Sequence, residues 1–317
     1  MEFGLGLPIS DPARLPEWAR LAEEHRFATV ALLDRLAYDN PEPLTALAVL
    51  AGATTRIRLQ TEVLLGPLRS TALLAKQVAT LDRMSAGRFV LGIGIGGRED
   101  DHAAAGVPLN RRGRLLDTQL ADLRSIWRGD PYRAAQSIGD GAKRDWGLGP
   151  TESGAAAAIG PRPAAAIGPR PAAVIGPRPV TAGGPPILIG GFAPEALRRV
   201  AQFADGFICA APLTWADGLV RTVNEQWEQA GRAGRPRLVC QINTAVGSPG
   251  TVERGRRAVA DYYAFTGRPG WGAPLSDPAL IAETVAAYHE FGADELIFYC
   301  YGDDPRQVEL LAGIVSG

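Results

Sequence analysis

The stretch RFVLGIGIGGRED, residues 88–100, decides between two folds. Gly92, Gly94 and Gly97 satisfy the G-x-G-x-x-G pattern of a dinucleotide-binding loop. In a Rossmann domain that loop belongs to the first β-α unit, and its third glycine lies at the start of a helix. Here three β-α units come first, and the residues at 98–102 look too polar to pack a helix onto a sheet. We therefore predict another role for these glycines.

Apolar segments alternate with helical patterns along the chain. The predicted strands lie at 2–8, 28–34, 56–65, 88–96, 185–191, 205–211, 237–246 and 293–301. Repeated β-α units predict a parallel sheet, and eight of them favour a closed (β/α)8 TIM barrel over an open doubly wound sheet. We predict an α/β protein with one domain, 1–317.

A Pro/Gly/Ala-rich insertion is predicted at 130–185, between strands four and five. It contains AIGPRP at 158–163 and 166–171 and VIGPRP at 174–179, a period of eight residues. Two prolines per unit exclude a helix interior or a central strand, so an extended segment is predicted. Expansion of a functionless loop motif explains the repeats, and a lid or a partner-binding arm is the alternative.

The composition argues against several kinds of binding partner and cellular location. The net charge of −1 and the lack of a long basic block argue against nucleic acid. No apolar run approaches the length of a membrane helix, and the N-terminus does not resemble a signal peptide, so a cytoplasmic protein is predicted. Cys209, Cys240 and Cys300 are predicted to be buried, reduced thiols with no metal role.

Barrel enzymes place their sites where the strands end, and polar or glycine residues collect there in this sequence. The glycines after strand four would let a flat ligand approach the backbone, whereas Gly92 is predicted to serve packing. Gly190, Gly191 and Phe192 end strand five directly before a helix. Exposed N–H groups at a helix N-terminus bind phosphate, so a phosphate site is predicted there, a plain tight turn being the alternative.

Two longer motifs make the chain resemble the bacterial luciferase-like monooxygenases, a family of flavin-dependent barrel enzymes. They are LLAKQVATLDRMSAGRFVLGIGIGGRED at 73–100 and PPILIGGFAPEALRRVAQFADGFI at 185–208. The resemblance covers the chain except for the repeats. It implies an enzyme that acts on a small organic molecule, with reduced flavin mononucleotide (FMN) supplied by a separate flavin reductase and with oxygen as co-substrate. It also implies a homodimer.

The resemblance also implies which residues hold the cofactor. Family members often carry a cis non-proline peptide at a strand-three bulge, and Thr61 and Glu62 fall there. The implied cofactor-binding set is Thr61, Glu62, Gly94, Gly96, Gly97, Arg98, Gly190, Gly191 and Phe192. In one branch the cofactor is the deazaflavin coenzyme F420, whose dehydrogenases commonly have a histidine after strand two. Here Leu33, Asp34 and Arg35 stand there, which favours FMN over F420.

The candidate catalytic residues are Asp34, Arg35, Glu62 and His102. His102 could act as a general base or stabilise a peroxide, or it could be a mobile loop residue. Glu62 faces either the mouth of the barrel or a salt bridge inside it, and Asp34 and Arg35 could simply pair with each other. Arg98 either pairs with a phosphate or a substrate carboxylate, or is a solvated charge.

Two other classes of protein remain as alternatives. A metal-dependent hydrolase needs clustered histidines, and the three in this sequence are scattered, so no metal site is predicted. A non-catalytic flavin-binding protein, with the repeats as its interaction arm, is the second alternative. Trp146, Trp215 and Trp271 could wall an aromatic pocket, although ordinary packing is the favoured explanation.

Overall fold

The computed structural model describes residues 1–8, 11–134, 172–268 and 270–316. Its strands are β1 (Glu2–Gly6), β2 (Thr29–Leu32), β3 (Arg58–Thr61), β4 (Leu64–Leu65), β5 (Phe89–Gly94), β6 (Ile187–Gly190), β7 (Gly206–Cys209), β8 (Arg237–Thr244) and β9 (Glu295–Cys300). Its helices are α1 (Leu15–Glu24), α2 (Pro43–Ala53), α3 (Thr71–Met84), α4 (Glu99–Ala105), α5 (Arg112–Arg128), α6 (Pro194–Phe203), α7 (Leu213–Gln229), α8 (Pro249–Tyr263), α9 (Pro278–Glu290) and α10 (Gln307–Ser316).

The strands form a closed parallel barrel. β1 lies between β2 and β9, and the order continues through β8, β7 and β6 to β5. Closure comes from β3, which pairs with both β2 and β5. The predicted (β/α)8 barrel is confirmed, and the open-sheet alternative is excluded because such a sheet has two free edges.

Apolar side chains pack in two layers, as the strand pattern requires. The larger layer lies between the strands and the helices and includes Leu15, Trp18 and Ala22 of α1. The smaller one fills the barrel interior and includes Val90, Leu188 and Ile297. Cys209, Cys240 and Cys300 are buried and free, as predicted.

The third predicted strand is interrupted. The strand predicted at 56–65, with a bulge at Thr61 and Glu62, is divided into β3 and β4 around a cis peptide bond between Glu62 and Val63. Gly92 of β5 faces this interruption, and a Cβ on it would overlap the carbonyl oxygen of Thr61. The packing role predicted for Gly92 is therefore confirmed.

A short helix begins in the polar run at 98–102, which was expected to be too polar to pack a helix onto the sheet. These residues lead into α4, in which Asp101 and His102 are buried. Burial is possible because both side chains have internal partners. Asp101 accepts hydrogen bonds from the backbone N–H groups of Leu36 and Ala37, and a His102 ring nitrogen bonds the carbonyl of Ile95.

Four charged side chains occupy the end of the barrel where the strands begin. Arg58 bonds Glu2 at 2.7 Å and Glu295 at 3.2 Å. Arg237 bonds Glu295 at 2.9 Å and also contacts Glu2. We call these four residues the basal quartet; Glu295 is its most buried member, with a side chain 1 % exposed.

The predicted insertion at 130–185 falls between α5 and β6, and its residues 135–171 lie outside the described residues. Its two described ends meet in a small bridge, in which Tyr132 and Ala173 exchange backbone hydrogen bonds. Beyond the bridge, Asp82 of α3 accepts hydrogen bonds from the backbone of Val180 and Thr181. Val180 and Thr181 also lie near Gly87, just before β5, at the end opposite the strand termini that were predicted to form the site.

Candidate active site

A close-packed apolar group lies at the carboxyl ends of β5 and β6. It is formed by the side chain of Val63, which follows the cis peptide bond, and by Gly94 and Gly190. A Cβ added to Gly94 or Gly190 would come within 2.9 Å or 3.0 Å of a Val63 methyl group. The two glycines therefore bring their backbones close to Val63, and we call these three residues the platform. A platform of this kind suits one face of a planar ring.

The turn after β6 offers backbone N–H groups that have no backbone partner in the described part of the chain. Gly191 has φ 144°, a conformation that favours glycine. The helix α6 then begins at Pro194, and its N-cap residue, Ala193, provides no side-chain hydrogen bond. A helix start without a side-chain cap leaves N–H groups for an anion, which the helix dipole also favours. Phe192 extends from the same turn and contacts Trp215 edge to face at 5.0 Å.

Glu62 immediately precedes Val63 of the platform in sequence and carries a buried carboxyl group. Its Oε2 accepts a hydrogen bond of 2.9 Å from the Gln60 amide, and its Oε1 has no partner among the described residues. Burial raises the pKa of Glu62 to about 8, against the lowering effect of the Gln60 hydrogen bond. Glu62 is therefore mostly protonated at neutral pH and forms no salt bridge within the described chain. Its backbone carbonyl accepts a hydrogen bond from the Tyr299 hydroxyl across the barrel.

Thr61, predicted to contact the cofactor, has a structural contact instead. Its side chain is fully buried, and its hydroxyl donates a hydrogen bond of 2.7 Å to the carbonyl of Gly92. This bond joins β3 to β5 beside the interruption. Thr61 thus positions Glu62 and Val63 rather than facing the mouth.

Asp34 and Arg35 do not pair with each other. Asp34 accepts hydrogen bonds from the backbone of Leu65 and from the Arg69 guanidinium. Arg35 bonds Asp101 at 2.5 Å and Asp100 at 2.9 Å, and its Nη1 has no partner among the described residues. Each residue therefore connects the loop after β2 to a neighbouring segment.

His102 is buried within α4 rather than exposed on a mobile loop. One ring nitrogen, Nε2, lies 3.0 Å from the carbonyl oxygen of Ile95, and Nδ1 has no partner among the described residues. Gly96 has φ 73°, and a Cβ there would lie 3.1 Å from the ring. His102 supports the glycine turn, whereas Gly97 faces open space.

A lid that the sequence did not indicate crosses the mouth. It consists of the last turn of α8 and the following turn, with Tyr262, Tyr263 and Phe265. Arg98 donates from Nη2 to the carbonyl oxygen of Tyr262 at 2.6 Å, and its guanidinium lies 3.6 Å from the centre of the Phe265 ring. Tyr38, in the loop after β2, contacts Tyr262 edge to face. Aromatic residues at the end of a helix are usually packing residues, so the pattern gave no signal for a lid.

A cavity of about 370 Å³ opens beside the lid, between the ends of β7 and β8. Gln241 and Asn243 of β8 supply its polar groups, and Tyr263, Trp271 and Tyr288 supply aromatic walls. Asn243 bonds the carbonyl of Gly272, while the Gln241 amide has no protein partner within the described ranges. Every described residue that lines the cavity is uncharged. Trp271 thus lies in a pocket wall, Trp215 packs on Phe192, and Trp146 lies outside the described residues.

The described ranges also bear on metal binding and on membrane insertion. They contain no group of three or more His, Cys, Asp or Glu side chains that could hold a metal ion. No helix in them is both long enough and apolar enough to cross a membrane.

Relatives by sequence include proteins with and without a known activity. An uncharacterised protein of Mycobacterium tuberculosis is 28% identical over 263 residues, which cover 75% of this chain and 83% of the relative. The F420-dependent glucose-6-phosphate dehydrogenase of Nakamurella multipartita is 29% identical over 238 residues, 70% of this chain and 60% of the relative.

Solved structures with the same fold include enzymes of two kinds. The monooxygenase RslO1 of Streptomyces bottropensis aligns with TM-score 0.76 and 18% identity, over 100% of this chain and 99% of that one. The F420-dependent tetrahydromethanopterin reductase of Methanopyrus kandleri aligns with TM-score 0.73 and 16% identity, over 98% and 97%. At these identities the likeness concerns the fold. The sequence profile described as luciferase-like monooxygenase matches residues 3–294, and the chain belongs to this family.

Proposed function

We propose that this protein is a two-component monooxygenase that uses reduced FMN and oxygen on a small, uncharged organic substrate. The observation that carries the proposal is the platform of Val63, Gly94 and Gly190 beside the buried, protonated Glu62. The platform would support the ring, and the uncapped start of α6 would hold the phosphate. Bound reduced flavin would supply the electrons and the site of oxygen activation.

The residues of the chain would control water and protons. The lid of Tyr262, Tyr263 and Phe265 would exclude water from the mouth, because Arg98 holds it closed. Glu62 would hold a proton at its carboxyl group and donate it near the platform, and Gln60 would orient that group. The end of β2 would contribute no acid or base, since Asp34 and Arg35 are engaged by Arg69 and Asp101.

The cavity beside the lid would receive the substrate. Its aromatic and uncharged walls favour a neutral molecule with an aromatic or otherwise apolar body. The Gln241 amide would offer it one hydrogen-bond donor and one acceptor. A separate reductase would supply the reduced flavin, and we also propose a homodimer.

A second candidate is hydride transfer with F420, which the name of one relative favours. That relative is the F420-dependent glucose-6-phosphate dehydrogenase of Nakamurella multipartita. The platform and the start of α6 together would accommodate either FMN or F420. The bonded state of Asp34 and Arg35 is our reason for placing FMN first.

Anaerobic titration of the purified chain separates the candidates. We expect reduced FMN to bind with micromolar affinity or better, and oxygen to be consumed after mixing. Tight binding of reduced F420 alone would replace the proposal with the second candidate, and binding of neither would refute both. Gly190→Ala, which crowds Val63, should weaken binding, whereas Gly218→Ala in α7 has open space and serves as the control.

A further inference from the structure

The third repeat unit lies in a groove on the outside of the barrel. The chain contains three consecutive eight-residue units, AAAIGPRP at 156–163, AAAIGPRP at 164–171 and AAVIGPRP at 172–179. Only the third is among the described residues. Its groove, which we call the unit groove, is formed by α3, by the end of α5 and by Tyr132.

Five parts of the third unit contact the unit groove. The backbone of Ala173 bridges Tyr132, and Ile175 packs against the main core. Lys76 of α3 donates to the carbonyl of Gly176 at 2.8 Å, and Arg83 donates to the carbonyl of Arg178 at 3.4 Å. The Arg178 guanidinium lies against Gly129 at the end of α5, where any Cβ would clash with it. A cation at that place also complements the helix dipole.

The other two units carry every group that these contacts use. They differ from the third unit at one position, where Ala158 and Ala166 correspond to Val174. Val174 is 65% exposed, so the groove does not depend on it. Asp82 binds the segment that follows the unit. It accepts hydrogen bonds from two backbone N–H groups, which any sequence provides, and from the hydroxyl of Thr181, which is specific to this segment.

We propose that the unit groove is a binding site for the sequence AAxIGPRP, and that the units at 156–163 and 164–171 are alternative occupants of it in the same chain. A slip by one unit keeps the contacts within the unit and gives up the hydrogen bond of the Thr181 hydroxyl. The loop before β6 then grows by eight residues, which costs little additional closure entropy. The three units are thus interchangeable ligands of one site.

The test compares Ile175→Asp in two chains, the full chain and a chain that lacks residues 156–171. In the full chain an intact unit replaces the damaged one, so the thermal midpoint should fall by about 1 °C or less. In the shortened chain no replacement exists, and the midpoint should fall by roughly 3 °C or more. Val174→Asp, at the exposed position, is the control and should have no effect in either chain.

Equal losses in the two chains would show that the units do not exchange, and no loss in either would show that the groove does not recognise the unit; both results overturn the proposal. If the charged variant does not fold, Ile175→Ala in the same two chains gives the same comparison. Added AAAIGPRP peptide should raise the midpoint of the damaged, shortened chain, because a ligand of the folded state stabilises it. AAAIGPAP peptide should raise it less, and equal effects of the two peptides would contradict a role for the arginine.

Discussion

Arg98 and Tyr262 are 164 residues apart in sequence and are joined by a hydrogen bond of 2.6 Å across the mouth of the barrel. The same guanidinium lies over the Tyr262 and Phe265 rings, at 4.9 Å and 3.6 Å from their centres. One side chain after β5 therefore holds the end of α8 above the platform. We therefore expect the lid to be coupled to the proposed cofactor site through Arg98.

Arg98→Ala should loosen the lid. A charge-assisted hydrogen bond and a cation–π contact together contribute about 2 kcal/mol, so chymotrypsin cleavage after Tyr262 or Tyr263 should become roughly thirtyfold faster. Arg98→Lys should fall between, because lysine keeps the charge but not the planar group. Arg257→Ala, on the exposed surface of α8, is the control. Equal cleavage rates for all four proteins would show that Arg98 does not hold the lid.

Glu62 should make the protein less stable as the pH rises. Its pKa is about 8 in the folded state against 4.5 for the free group, so between these values the folded chain binds the proton that the unfolded chain has lost. The free energy of unfolding should then fall by up to about 1.4 kcal/mol per pH unit from pH 4.5 to 8, and the stabilising effect of the proton is complete below pH 4.5.

Urea unfolding at several pH values measures this slope. Glu62→Gln should flatten the curve relative to the parent protein, whereas Glu225→Gln, exposed on α7, should leave it as it is. An unchanged slope in the Glu62 variant would mean that the carboxyl group is ionised in the folded protein.

Two glycines of the decisive stretch should respond oppositely to alanine. Gly92→Ala would push a methyl group into the backbone of Thr61, which cannot move far within the barrel, so a loss of about 2 kcal/mol or more is expected. Gly97→Ala meets no atom within 4 Å and should change the free energy of unfolding by less than about 0.5 kcal/mol. Denaturant unfolding measures both, and equal losses would contradict the packing described here.

The stability that the basal quartet gives to the barrel should depend on Glu295. Glu295→Ala leaves Arg58 and Arg237 with Glu2 as their shared partner and removes the buried carboxylate, at a cost of about 3 kcal/mol. Glu309→Ala, exposed on α10, is the control and should be nearly neutral. Thermal unfolding would detect the difference, and similar midpoints would mean that the quartet contributes little.

The barrel was predictable because apolar periodicity and β-α alternation are properties of local sequence. The interruption at Glu62 and Val63 was anticipated from the resemblance, whereas the neighbouring contact of Thr61 with Gly92 joins two strands and has no local sequence signal. The hydrogen-bond partners of Asp34, Arg35 and His102 could not be predicted from the sequence. These partners are Arg69, Asp101 and Ile95, respectively, and they come close only in the folded chain.

The lid was missed for the same reason. Tyr262 and Phe265 look like ordinary residues of an amphipathic helix end, and nothing near them in sequence indicates Arg98. Conversely, the polar run at 98–102 looked unsuitable for a helix packed on the sheet. Its hydrogen-bond partners, Leu36 and Ala37, lie in another loop and cannot be recognised from the local sequence. Long-range polar contacts are the part of this structure that sequence patterns do not encode.

The basal quartet has a consequence for the way in which small molecules enter and leave the barrel. Ionic groups close the floor of the barrel, so the proposed cofactor and substrate would enter and leave at the opposite end, where the strands terminate. The reduced cofactor, the substrate and the product would then use the same opening one after another. The fold would therefore constrain the order in which they bind and are released.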